Sequence, residues 1–206
     1  SSDLHLAAKG RAKVAALAQR LSTVPLTAIV SSPLERCQET AAALQQGRDL
    51  TIDTDDRLGE CRYGDWQGQP LKTLAKDPLW KVVQAHPSAV TFPGGEALRD
   101  TQSRAVAAVR DHNKRLGPDA TWAAVSHGDV IKAVLADALG LHLDEFQRIV
   151  VDPASVSIVT YTELRPFVVR MNDIGGDLAG LIPPARKGRR RSSDAAVGGG
   201  SGGAHG

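Results

Sequence analysis

The sequence has no unbroken run of about 18 apolar residues, so no membrane-spanning helix is expected. It has two cysteines, Cys37 and Cys61, in 206 residues. They form no C-x-x-C pair and are too few for a disulfide framework, which makes a reducing cytoplasm the expected compartment. No secretory-type leader stands at the start. The first residue is Ser rather than Met, so the chain is expected to begin inside its gene. A strong charge of either sign is also missing. The net +2 comes from a terminal cluster, Arg186, Lys187, Arg189, Arg190 and Arg191, opposed after Pro183 only by Asp194. Without that stretch, 20 basic residues face 22 acidic ones. The body is therefore not expected to bind nucleic acid. Five cations on a tail can make weak, salt-sensitive contacts, but no reading element or stacking aromatics accompany them.

What is present suits one globular domain: 42% hydrophobic and 23% charged residues, with no internal repeat. Residues 1–182 form the expected domain. Residues 183–206, rich in Pro, Gly, Ser and Arg, have almost nothing to bury and are expected to be a disordered tail. Helical spacing of Val14, Leu17, Ala18 and Leu21 predicts a helix over Lys9–Leu21. Thr27–Val30 is a buried strand. Ser32 fits an N-cap, Pro33 a first helical position and Glu35 a capping-box partner for a helix to Gln46, stopped by Gly47. Thr51–Asp53 is a short strand. Leu71–Gln84 is a helix interrupted or kinked at Pro78, and Phe92–Gly95 a loop. Glu96–Leu116 is a long helix ended by Gly117-Pro118. Thr121–Ser126 is a second buried strand, followed by a helix over Asp129–Leu139 closed by Gly140. Ser155–Thr162 and Phe167–Asn172 form two strands joined at Glu163–Pro166. This alternation is α/β, a sheet covered by helices on both faces.

Three places can carry chemistry. At Ser31–Ala41 a strand end meets a helix N-terminus, where backbone N–H groups and the helix dipole favour an anion. Arg36 in its first turn can clamp phosphate oxygens in bidentate fashion, and an ordinary capped helix with a surface arginine also fits. At Leu58–Gly68, Glu60 can serve as general acid if its surroundings keep it protonated. A tryptophan-anchored loop with a solvated Glu fits as well. At Ala123–Asp129 an apolar strand delivers His127 to a strand–Gly–helix junction facing a ligand crevice, where it can stabilise a phosphoryl group or serve as a structural histidine.

Taken together, SSPLERCQETA, LGECRYGDWQG and VSHGDVIKAV resemble the motifs of the histidine phosphatase superfamily, also called phosphoglycerate mutase-like. The resemblance spans Asp3 to Thr162. Pro78-Leu79-Trp80, Phe92–Glu96 and Val150–Ala154 further resemble an actinobacterial phosphomutase/phosphatase subgroup. The resemblance implies a three-layer αβα sandwich with a mixed, mostly parallel sheet. It also implies phosphoryl transfer through a phosphohistidine, a small phosphate ester as substrate, and no metal or organic cofactor. By position, Arg36 is a phosphate clamp, His127 the non-nucleophilic histidine and Glu60 the proton donor and acceptor. The Glu60–Gly68 pattern, with no long insertion after Gly68, looks more like the phosphatase branches than the mutases. A phosphomutase and a non-catalytic phosphate-ligand binder are the alternatives. Arg62, Lys72, Lys81 and Arg99 can select a charged ester or be solvated surface charges.

The family's Arg-His-Gly nucleophile signature has no counterpart. His5 is followed by Leu6, His86 by Pro87, His112 by Asn113 and His142 by Leu143, while His205 lies in the tail. His127 is followed by Gly128 but matches the second histidine. Roughly 25 residues of family sequence, including the central first strand, are expected to be missing before Ser1. Thr121–Ser126 and one strand of Ser155–Asn172 would then face a gap. Unpaired buried backbone groups cost about 1–3 kcal/mol each, against a typical margin of about 5–15 kcal/mol. The chain by itself is expected to be poorly soluble or partly molten, and inactive.

Overall fold

Three short apolar runs become parallel strands: β1 (Ala28–Ser31), β2 (Ile52–Thr54) and β3 (Trp122–Val125), ordered β2-β1-β3. The structure, a computed structural model, describes residues 5–176. Ile29 stands opposite Ile52 on one side and Ala123 on the other. Strand alternation sends Ile29 and Val30 to opposite faces. Ile29 packs with Leu17, Cys37, Ala41 and Leu44 from α1 (Ala8–Leu21) and α2 (Glu35–Gln45). On the other face Val30 meets Leu58 and Ala108, the latter from α5 (Leu98–Leu116). Against α5 lies α6 (Gly128–Leu139). A larger apolar cluster joins α6 to Trp66, Phe92 and the two short helices α3 (Leu71–Leu74) and α4 (Pro78–Ala85). The α/β class and the mostly parallel main sheet agree with the sequence.

Strands β4 (Val156–Tyr161) and β5 (Pro166–Asp173) form an antiparallel pair apart from that sheet. One edge of β3 is bonded to β1; no described strand pairs with the other. A cleft of about 2050 Å³ lies there, lined by both β3 and β4. Ala124 is exposed and Trp122 and Ala123 only half-buried, although a parallel strand with covered faces ordinarily lies deep in its sheet. The gap expected beside Thr121–Ser126 is thus a feature of the described residues.

Local boundaries differ where side chains serve other partners. Helix α2 starts at Glu35, with Leu34 rather than Ser32 at its N-cap. The Ser32 hydroxyl turns toward His127 instead, while still accepting from the Leu34 N–H at 3.3 Å. The helix expected over 71–84 with an interruption at Pro78 is, in agreement, two helices. Asp77 caps the second by accepting from the Leu79 N–H, and Pro78 takes its first position. Glu96 lies outside α5; its carbonyl accepts from Phe92 N–H and its carboxylate from Arg62 N–H. The expected domain end at 182 and the tail over 183–206 fall outside the described residues.

Candidate active site

Strands β1 and β3 run side by side, so Ser31-Ser32 and Ser126-His127 emerge together at their carboxyl ends. His127 is buried and stands at the N-cap of α6. Its Nδ1 lies 2.9 Å from Nη2 of Arg36, which can only donate, so Nδ1 is the accepting nitrogen. The proton therefore sits on Nε2, which donates to Ser32 Oγ at 2.7 Å. Burial first, then the charges of Arg36 and Arg104, push the His127 pKa down to about 3. The ring is neutral in the absence of an anion. Cys37 Sγ packs 3.5 Å from Nε2, closing the floor of the site.

Glu60 reaches the same point from the loop after β2. Its Oε2 is 3.6 Å from Arg36 Nη2 and 3.6 Å from His127 Nδ1. Its Oε1 accepts from the Cys61 N–H at 3.1 Å and lies 3.4 Å from the Tyr63 hydroxyl. Burial is the largest influence on this carboxyl and Asp129 the next; together they outweigh the Cys61 N–H and Arg36 and raise its pKa to about 7. A carboxyl near neutrality can give a proton to a leaving oxygen and take one back from water. Burial also pushes the neighbouring Cys61 thiol up to about 12, which keeps it inert.

The loop that carries Glu60 is fixed from behind. Arg104 on α5 donates to the carbonyls of Arg57 at 2.6 Å, Gly59 at 2.9 Å and Glu60 at 3.1 Å. Beyond Glu60, Gly64 has φ 56° and lies so close to the 93–95 turn that a Cβ there would meet Pro93 O at 2.1 Å. A Cβ on Gly95 would meet Arg62 O at the same 2.1 Å. Trp66 is buried rather than a surface anchor; it donates to Asp77 Oδ2 at 3.1 Å and packs on Trp80 and Phe92.

The structure brings Arg36, Glu60 and His127 together. Arg62, Lys72, Lys81 and Arg99 are not drawn into the centre. Lys72, Lys81 and Arg99 are exposed, and the Arg62 side chain, 77% exposed, lies 3.6 Å from Glu96. The other described histidines stand elsewhere: His5 on Glu39, His112 on Asp55, and both His86 and His142 near Asp144. Sequence reasoning missed Ser32 as the ring's partner, the Arg104–Glu96 brace, and Tyr63 with Asp129. A buried Glu at 96 followed eight residues later by an Arg carries no local signature, because the pair closes only across the fold.

A family model for the histidine phosphatase superfamily, branch 1, matches residues 1–174. Phosphoserine phosphatase 1 of Hydrogenobacter thermophilus is 30% identical over 173 residues, covering 82% of this chain and 81% of that protein. A Yersinia pestis protein named Probable phosphoglycerate mutase GpmB is 30% identical over 188 residues, covering 89% and 86%. The solved mycobacterial glucosyl-3-phosphoglycerate phosphatase superposes with a TM-score of 0.75 at 26% identity, covering 83% of this chain and 88% of that one. That enzyme has also been solved with VO3 and with inorganic phosphate.

Proposed function

The chain belongs to the histidine phosphatase superfamily, and from that premise we propose that its site serves the hydrolysis of small phosphomonoesters through a phosphohistidine. The observation that carries this is the convergence of Arg36, His127 and Glu60 within 3.6 Å of one another at the ends of β1 and β3. Arg36 holds phosphate oxygens as a charged fork. His127 hydrogen-bonds the same group, and a bound dianion beside it offsets the low proton affinity of the empty site. A histidine nitrogen attacks phosphorus and the ester P–O bond breaks. Glu60 gives its proton to the leaving oxygen, then takes one from the water that attacks phosphorus as the P–N bond breaks and the histidine leaves.

The attacking histidine is not one of the six in this chain, none of which stands in Arg-His-Gly. We place it on a strand that occupies the cleft between β3 and β4. By this reading the chain alone binds phosphate esters in its pocket but does not turn them over. The likeness of Pro78-Leu79-Trp80 and Phe92–Glu96 to an actinobacterial subgroup belongs to the same reading. The relative named as a mutase favours a second outcome, transfer of the phosphoryl group back to the product. The missing Arg-His-Gly favours a third, ligand binding with no phosphoenzyme.

Titration of vanadate and inorganic phosphate into the full chain tests the pocket. Saturable binding, with each anion competing against the other, is expected. A chain that binds neither, or that hydrolyses p-nitrophenyl phosphate unaided, contradicts the reading.

A further inference from the structure

Two carboxyl groups, Asp129 buried and Glu60 partly buried, face one phenol beside the site. The Tyr63 hydroxyl lies 2.7 Å from Asp129 Oδ2 and 3.4 Å from Glu60 Oε1. Burial, followed by the charges of Asp129 and Glu60, raises the phenol pKa well above its ordinary value, so Tyr63 keeps its single proton. The shorter contact takes that proton, and Asp129 is the acceptor. Glu60 Oε1 is left facing the phenol oxygen's lone pairs. A negative charge there meets both those lone pairs and the Asp129 carboxylate; a neutral carboxyl with its proton on Oε1 can donate to the phenol oxygen and meets neither penalty.

The fold also decides which of the two acids stays charged. Asp129 is 2% exposed in the first turn of α6, a twelve-residue helix whose amino end favours an anion. One turn further along is Lys132, fully buried, whose Nζ donates to Gln147 at 3.0 Å; burial lowers its pKa, and the charges of Asp129 and Asp152 oppose that shift. Glu60 has no such helix end. Facing it are Arg36 from α2 and His127, both toward Oε2, and Tyr63 and Cys61 from its own loop. From α5, Arg104 binds its main-chain carbonyl and is itself paired to Glu96. Environments that differ in this way split two neighbouring carboxyl groups into one anion and one acid.

We propose that Asp129 is a positioning residue that, through the Tyr63 hydroxyl, keeps Glu60 protonated with its Oε2 turned to the phosphate pocket. The consequence for catalysis rests on the reading of Glu60 as proton donor; the pairing itself does not.

The test is a carboxyl carbon-13 NMR titration of the full chain labelled at Asp and Glu, with Glu60→Gln to assign the Glu60 signal. In Asp129→Asn the Glu60 midpoint is expected to fall by about one pH unit or more toward the ordinary carboxylate range. An unchanged midpoint overturns the proposal. The parent chain supplies a second reading that needs no Asp129 variant. The Asp129 signal should inflect at the Glu60 midpoint and lose that inflection in Glu60→Gln. Its absence in the parent also overturns the proposal. Inorganic phosphate titrated in parallel separates the two ideas. Coupling without phosphate binding supports the pairing and sinks the phosphatase reading; phosphate binding without coupling does the reverse.

Discussion

Arg104 grips both carboxylate oxygens of Glu96, Nε at 3.1 Å and Nη2 at 2.7 Å, and through the same guanidinium ties down the carbonyls of residues 57, 59 and 60. The Glu96 side chain is 3% exposed. Breaking a buried pair by removing one partner costs about 3–5 kcal/mol, since the other charge is stranded. Arg104→Ala is therefore expected to lower stability by that order in a urea titration. Arg104→Lys should recover less than half, because an ammonium cannot reproduce a planar fork serving three carbonyls and a carboxylate.

The acids and bases of the site set opposing slopes of stability against pH. Glu60 has a folded pKa of about 7, above its ordinary 4.5, so its contribution is full below 4.5 and is lost as pH rises through 7. His127, depressed to about 3 from 6.5, contributes fully above 6.5 and loses that contribution as pH falls toward 3. At ~1.4 kcal/mol per unit, each is worth a few kcal/mol. Glu60→Gln should accordingly raise the melting temperature relative to the parent at pH 8 and not at pH 4. His127→Gln should flatten the loss below pH 6.5. Equal shifts at both pH values would show that Glu60 is not held in its acid form.

Much of this was legible in the sequence because it is local. The strand–turn–helix junctions that present Arg36 and His127 are written in contiguous apolar runs and capping residues. What could not be read depends on the closed fold. Ser32 looked like a helix cap because a serine before Pro-x-Glu usually is one. Its hydroxyl goes instead to a ring 95 positions away. Tyr63 and Asp129 are 66 residues apart and meet only once α6 packs on the Glu60 loop. Beside β3, where a gap was expected, no described strand pairs with the far edge and a cleft lies between β3 and β4.

Arg36 and His127 separate charge from shape in anion binding. A charged hydrogen bond contributes about 1.5–3 kcal/mol, so Arg36→Ala should weaken vanadate binding roughly 10- to 150-fold by calorimetry. Arg36→Lys should restore only part of this, for want of the bidentate fork. Ser32→Ala, which leaves the buried Nε2–H of His127 without that partner, should cost about 1–3 kcal/mol. Binding unaffected by Arg36→Ala would move the anion away from α2.

An open edge of β3 facing β4 across an apolar-lined cleft should accept an extended apolar peptide by backbone pairing. A peptide of alternating Val and Ile residues is expected to raise the melting temperature of the full chain and displace the hydrophobic dye ANS. A peptide of the same length with proline replacing alternate residues should do neither, because it cannot complete the ladder.

The central claim is that Arg36, Glu60 and His127 are three parts of a phosphohistidine site. It is tested most directly by adding to the chain a strand peptide that ends in Arg-His-Gly and trapping the protein with a phosphorus-32-labelled phosphomonoester. The account predicts an acid-labile, base-stable label on the peptide histidine, lost in Arg36→Ala and absent without the peptide. A label on the chain itself without the peptide, or no label when the bound peptide has filled the cleft, would contradict it.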